Sequence, residues 1–104
     1  MKAAWSGLDP ALHAPARIAI ASRLVAVERM RFAALRDATG LTPGNLAGHL
    51  EALERAGYVE QRDAILSLRR GRLVAMTPRG REAFDAYVRA LEALVADLKA
   101  QRAG

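Results

Sequence analysis

Apolar residues recur at helical spacing in four stretches of the chain and lose that spacing in one. Asp9-Pro10 is read as a helix start, because the carboxylate can accept from free amides and proline suits the first helical position. Pro15 reopens a helix after His13-Ala14. From there to about Val27, Ile18, Ile20, Leu24, Val25 and Val27 cover more than one face, which predicts a centrally buried helix. Glu28 to Arg31 is a polar break. Phe32, Leu35 and Ala38 mark a short second helix ended by Gly40, and Thr42-Pro43 opens a third. Leu46, Leu50 and Leu53 give this helix one buried stripe, and Ala56-Gly57 stops it. From Tyr58 the character becomes extended. "AILSL" (64–68) and "RLVAM" (72–76) flank Arg69-Arg70-Gly71, which predicts a hairpin turning there, with a turn near Asp63 as the alternative register. Thr77-Pro78 starts a last helix whose stripe is Phe84, Tyr87, Val88, Leu91, Leu94, Val95 and Leu98.

The expected class is therefore mainly α with a small β-hairpin. Two short helices joined across "TGLT" make a helix-turn-helix over about residues 32–56, the hairpin forms a wing over about 58–77, and a long helix fills about 78–102. Residues 1–104 are expected to form a single domain of ordinary size. Its 52% apolar residues allow a small core that a partner subunit would reinforce.

Charge narrows the partner. The net +5, from 16 Lys+Arg against 11 Asp+Glu, favours a polyanion, with nucleic acid ahead of an anionic membrane surface. The absence of cysteine excludes disulfides, thiolate catalysis and most structural zinc sites, and suits a reducing cytosol. No charged-then-apolar leader opens the sequence, and no apolar run approaches the roughly 18 residues of a membrane span, so a cytoplasmic protein is expected. There is no Ser/His/Asp set, paired-carboxylate motif or Gly-rich phosphate loop. His13 and His49 are the only histidines and lack metal-ligand spacing. Neither an enzyme, a metal nor a cofactor is expected.

Three blocks, "LDPALHAPARIAI", "FAALRDATGLTPGNLAGHLEALERAGYVE" and "MTPRGREAFDAY", resemble the MarR/ArsR-like winged-helix regulators, and most closely the short "winged helix DNA-binding domain" group. The resemblance runs nearly end to end. It implies a winged helix-turn-helix that binds double-stranded DNA in transcriptional control, with repression as the expected mode. Two departures stand out. Ala47 and Gly48 occupy positions where relatives commonly carry a phosphate-gripping serine and a larger polar residue. The wing, typically Gly- and Pro-rich, here holds Ile65, Leu66 and Leu68, which either bury one face or present a sticky surface to another protein.

In a helix-turn-helix the second helix lies in the major groove with its N-terminal residues on base edges. The candidates are Thr42, Pro43, Gly44, Asn45, Gly48 and His49. Asn45 can pair with adenine through its amide, or simply be solvated. His49 can donate to a phosphate or a guanine edge, or hydrogen-bond within the domain. Gly44 and Gly48 disfavour a helix by about 1 kcal/mol each relative to alanine, which points to close approach of DNA or a neighbouring backbone, or else to relaxed selection on a weak reader. The missing positive charge comes later, at Arg62, Arg69, Arg70, Arg72, Arg79 and Arg81. Of these Arg69, Arg70, Arg72 and Arg79 are the phosphate-contact candidates. Arg79 sits in the first turn of a helix, against the macrodipole.

The last helix, some 22 residues or roughly 33 Å, is longer than the domain needs to cover itself. A two-fold homodimer is expected, with Trp5, Leu8, Phe84, Tyr87, Val88, Leu91, Leu94, Val95 and Leu98 at the seam, the alternative being a helix folded back on its own domain. A small-molecule effector pocket at that seam has no signature in the sequence. The rival reading is a winged helix used as a protein-interaction module, with the glycine-bearing helix or "AILSL" as its contact and little sequence-specific DNA binding.

Overall fold

The structure, a computed structural model, describes residues 7–66 and 68–103, with no side-chain description for Leu66. Trp5 lies outside the described residues. The elements are α1 (Pro15–Leu24), β1 (Met30–Arg31), α2 (Phe32–Thr39), α3 (Pro43–Arg55), β2 (Val59–Leu66), β3 (Arg69–Met76) and α4 (Pro78–Ala103). The three strands form one antiparallel sheet in the order β1-β3-β2.

Helix boundaries follow local chemistry. Thr42 caps α3 by accepting from the Asn45 amide at 3.2 Å, and Pro43 occupies the first helical position. Gly40 closes α2 in the left-handed region at φ 72°. Gly57 closes α3 at φ 82°, where the amides of Gly57 and Tyr58 bond to the carbonyls of Glu54 and Leu53 at 2.9 Å each. This is the paired arrangement that satisfies the last free carbonyls of a helix. Thr77 does two jobs: its hydroxyl donates to the Gly57 carbonyl at 2.7 Å and accepts from the Gly80 amide at 2.9 Å. That joins the start of α4 to the end of α3.

Four expectations are corrected. Asp9-Pro10 opens one turn rather than a helix: Asp9 accepts from the amides of Ala11, Leu12 and His13, and the chain then breaks before Pro15. The first helix ends at Leu24, leaving Val25 and Val27 exposed. The Glu28–Arg31 break contains a strand, since Met30 and Arg31 pair with Val74 and Leu73 of β3. The hairpin turns between Leu66 and Arg69, which pair with each other, so Arg69, Arg70 and Gly71 belong to β3 and not to the turn.

The core is continuous through all the helices. Leu12, Ile20, Leu24, Leu35, Leu46, Leu50 and Leu53 are fully buried, and Val59, Val74 and Met76 close it from the sheet. Phe84 and Tyr87 of α4 complete it, with their rings stacked at a centroid distance of 6.4 Å. These two residues are therefore interior to the protomer and not free for a subunit seam. Leu8, Val88 and Leu91 are half-buried against the same core, while Val95 and Leu98 are exposed. At Gly80, α4 passes close against the segment joining α3 to β2: a Cβ there would lie 2.1 Å from the Tyr58 carbonyl oxygen.

Beyond Leu91 no residue of α4 is buried, so the second half of the helix leaves the body of the domain. The molecule measures 60 × 24 × 21 Å with a radius of gyration of 15.8 Å. A compact domain of this length would have a radius near 13 Å.

Candidate nucleic-acid interface

Helix α3 buries Leu46, Leu50 and Leu53 and presents the opposite side to solvent. Thr42, Pro43, Gly44, Asn45 and Gly48 are all exposed. A Cβ added at Gly44 or Gly48 would meet nothing within 4 Å, so no neighbouring backbone in the protomer explains either glycine. The Asn45 side chain makes no hydrogen bond among the described residues, whereas its amide is taken by the Thr42 cap. Further along, Glu51 and Arg55 pair with each other at 3.3 Å, which leaves the exposed face without a free cation.

His49 is turned towards α1. Its Nδ1 accepts from Arg17 Nε at 3.1 Å, and Arg17 also donates to the Ala11 carbonyl at 3.1 Å. With Nδ1 accepting, the proton of the neutral imidazole sits on Nε2, which is the ring's remaining donor. The internal hydrogen bond weighed for His49 is thus present. Arg17 was not among the candidates; it lies 32 residues from its partner, and nothing in its local sequence marks it.

The wing arginines separate into distinct roles. The ladder puts Ile65, Asp63, Gln61 and Val59 on one face with Arg70, Arg72, Val74 and Met76, and Arg69 on the other. Arg72 is tied down: its guanidinium lies 5.9 Å from the Phe32 ring centroid, 3.9 Å from the Asp63 carboxylate and 3.5 Å from the Gln61 amide oxygen. Arg69 and Arg70 are exposed and have no ion-pair partner among the described residues. Arg62 lines a hollow on the outer face of the sheet with Glu28 and Glu60.

Arg81 donates to the carbonyls of Val25 and Val27 at 2.9 and 2.8 Å, satisfying the chain after α1. Arg79 lies over the Tyr58 ring, 5.9 Å from its centroid, at the C-terminal end of α3. Its place in the first turn of α4 thus has an internal cause in the Tyr58 ring. The Tyr58 hydroxyl donates to Asp9. That bond raises the tyrosine pKa above its usual 10.0, helped by burial and the carboxylate charge and opposed by Arg79.

Between α3 and the wing runs a hollow lined by Ala47, Glu51, Glu54, Gln61, Asp63 and Arg72, with Arg62 at its edge. Glu54 holds the start of β2 by accepting from the Gln61 backbone amide at 3.3 Å. The acidic residues sit in this hollow; the N-terminal half of α3 and the outer end of the wing flank it. Among the described residues, no helix is long and apolar enough to cross a membrane, and no group of acidic or histidine side chains is placed to hold a metal ion.

Comparison with known proteins agrees with this geometry. Residues 16–95 match the model of the family described as winged helix DNA-binding domain. An uncharacterized protein of Methanocaldococcus jannaschii is 35% identical over 72 residues, which is 69% of this chain and 78% of the relative. The solved structure of a transcriptional regulator homologue from Pyrococcus horikoshii OT3 is 31% identical, covers 85% of this chain and 87% of its own, and superposes with a TM-score of 0.79. A MarR-family regulator from Enterococcus faecalis V583, at 21% identity, shares the fold with a TM-score of 0.71 over 96% of this chain and 86% of its own. The family and fold are those of transcriptional regulators and not of enzymes, and the chain belongs to the winged helix DNA-binding domain family.

Proposed function

We propose that this DNA-binding transcriptional regulator acts as a homodimeric repressor, with α3 seated in the major groove and the outer wing on the adjacent backbone. The observation that carries the reading is the bare, open face of Thr42, Gly44, Asn45 and Gly48 beside a wing whose Arg69 and Arg70 are unpaired among the described residues. Arg69 and Arg70 supply affinity without sequence choice, because phosphate contacts release counterions whatever the bases are. Asn45 supplies a base contact, and the Nε2–H of His49 a phosphate contact. Arg79 and Arg81 serve the fold.

The homodimer is supported by α4. Its first half carries Gly80, Phe84 and Tyr87 into the core, while Val95 and Leu98 remain 41% and 51% exposed on the half that leaves the body. The proposed seam is thus Leu94, Val95 and Leu98, with Leu8, Val88 and Leu91 at its inner margin. A two-fold pairing there places two α3 helices about one DNA turn apart and calls for a pseudo-palindromic site.

The test is an anisotropy titration on random-sequence and genomic duplexes at two salt concentrations. Arg69→Ala with Arg70→Ala weakens binding to every duplex and lowers the log–log salt slope by about 1.8, the value for two lost phosphate contacts. Asn45→Ala instead relaxes preference at one base pair. Absence of wild-type binding at low salt sinks the proposal and leaves the protein-interaction module.

A further inference from the structure

The wing ends in a feature that neither the fold nor phosphate binding requires. Only two residues separate the paired Leu66 and Arg69, and one of them, Leu68, has φ 68°. Two-residue hairpin connections that need positive φ ordinarily take glycine, asparagine or aspartate, because a larger side chain crowds the backbone there. Leu68 is also 98% exposed, and Ile65, opposite Arg70 in the ladder, is 76% exposed. Backbone conformation and hydration therefore both disfavour this tip in the free protein. A non-glycine residue at positive φ that is also exposed marks a candidate functional position.

The surroundings identify the chemistry of that contact. Arg69 adjoins Leu68 and Arg70 faces Ile65 across the ladder, and neither arginine has an acidic partner among the described residues. An apolar point between unpaired guanidinium groups suits a polyanion with an apolar interior. A DNA minor groove has that character: phosphates line its edges and stacked bases lie between them. Apolar side chains enter such base steps as wedges and unstack them. The ladder advances seven residues from Val59 to Leu66, about 23 Å at strand rise. Half a turn of B-DNA is about 17 Å.

We propose that Leu68, backed by Ile65, is a minor-groove wedge that gives the regulator a preference for easily unstacked steps flanking the sequence read by α3. This rests on the DNA-binding reading above. Pyrimidine–purine steps, TA and CA/TG, unstack most readily and are the steps selected.

In vitro selection from a random duplex library, with the full chain and with Leu68→Asn, tests it. Asparagine tolerates positive φ, so the turn survives. Leu68→Gly serves as a second variant, and thermal melts followed by circular dichroism confirm the fold of both. Wild type recovers a central motif plus pyrimidine–purine steps about half a turn outside it. Both variants keep the motif and lose the flanks. On the wild-type-selected duplex they bind about tenfold more weakly, the lower end of what burying a leucine contributes, with an unchanged salt slope. Identical flanks in all pools, or variant affinity equal to wild type, overturns the wedge while leaving DNA binding intact. A wild type that binds no duplex at low salt overturns the underlying reading together with the wedge.

Discussion

Gly48→Ala separates what α3 does for the fold from what it does for its ligand. The residue lies mid-helix, and its added methyl would meet no atom within 4 Å. The folded protomer therefore accepts the side chain without strain, and the helix gains the difference in propensity, about 1 kcal/mol. For a domain of this size that raises Tm by roughly 4–8 °C. Binding moves the other way. If α3 seats against DNA through Gly48, a methyl forced into a close-packed contact costs about 1–3 kcal/mol, which is roughly five- to 150-fold in Kd. Thermal melts of the free protein and anisotropy titrations on one duplex give the two numbers from one preparation. A Tm that fails to rise refutes the claim that this face is open. A raised Tm with unchanged affinity refutes close approach at Gly48 and confines base contact to the helix's first turn.

Other perturbations test the scaffold around the interface. Gly80→Ala is the same substitution with the opposite sign. Its Cβ would stand 2.1 Å from the Tyr58 carbonyl oxygen, which is backbone and cannot swing aside. Overpacking at the upper end of the usual range, about 3 kcal/mol, exceeds the propensity gain of about 1 kcal/mol, and Tm falls by roughly 8–16 °C. Val95→Glu with Leu98→Glu places charge on the exposed end of α4 and yields a folded monomer in sedimentation; an unchanged dimer would move the seam elsewhere. Tyr58 makes stability pH-dependent on the alkaline side. Its folded pKa is raised by the bond to Asp9, by burial and by the Asp9 charge, so above pH 10.0 the unfolded chain loses its phenolic proton first. The unfolded state then binds fewer protons, and stability falls as pH rises through the folded pKa. Denaturant titrations between pH 8 and about pH 11 should show a smaller fall for Tyr58→Phe than for wild type, and equal slopes would exclude this tyrosine as the cause.

Local chemistry decided much of this protein. Thr42-Pro43 and Thr77-Pro78 start helices, and Gly40 and Gly57 end them at positive φ, because capping and left-handed turns depend on residues within a few positions. The Leu46, Leu50 and Leu53 stripe likewise identifies the buried side of α3, and with it the open one. Tertiary structure decided the rest. Met30–Arg31 is too short to show a strand pattern and becomes one only by pairing with β3, 42 to 44 residues further on, a partnership that spacing along the chain does not encode. The hairpin turns just before the predicted Arg69-Arg70-Gly71, because Leu68 adopts positive φ without being glycine, while Gly71 is a turn signal that falls inside a strand. Phe84 and Tyr87 share the helical stripe of Val95 and Leu98, and only packing separates interior from exposed positions along it. The arginines show the same division most clearly. Their number and clustering are properties of the chain, but Arg17 bonded to His49, Arg79 over Tyr58 and Arg81 on the Val25 and Val27 carbonyls are set by partners distant in sequence. Composition supplies positive charge; only the folded arrangement determines which charges are occupied internally and which remain for a ligand.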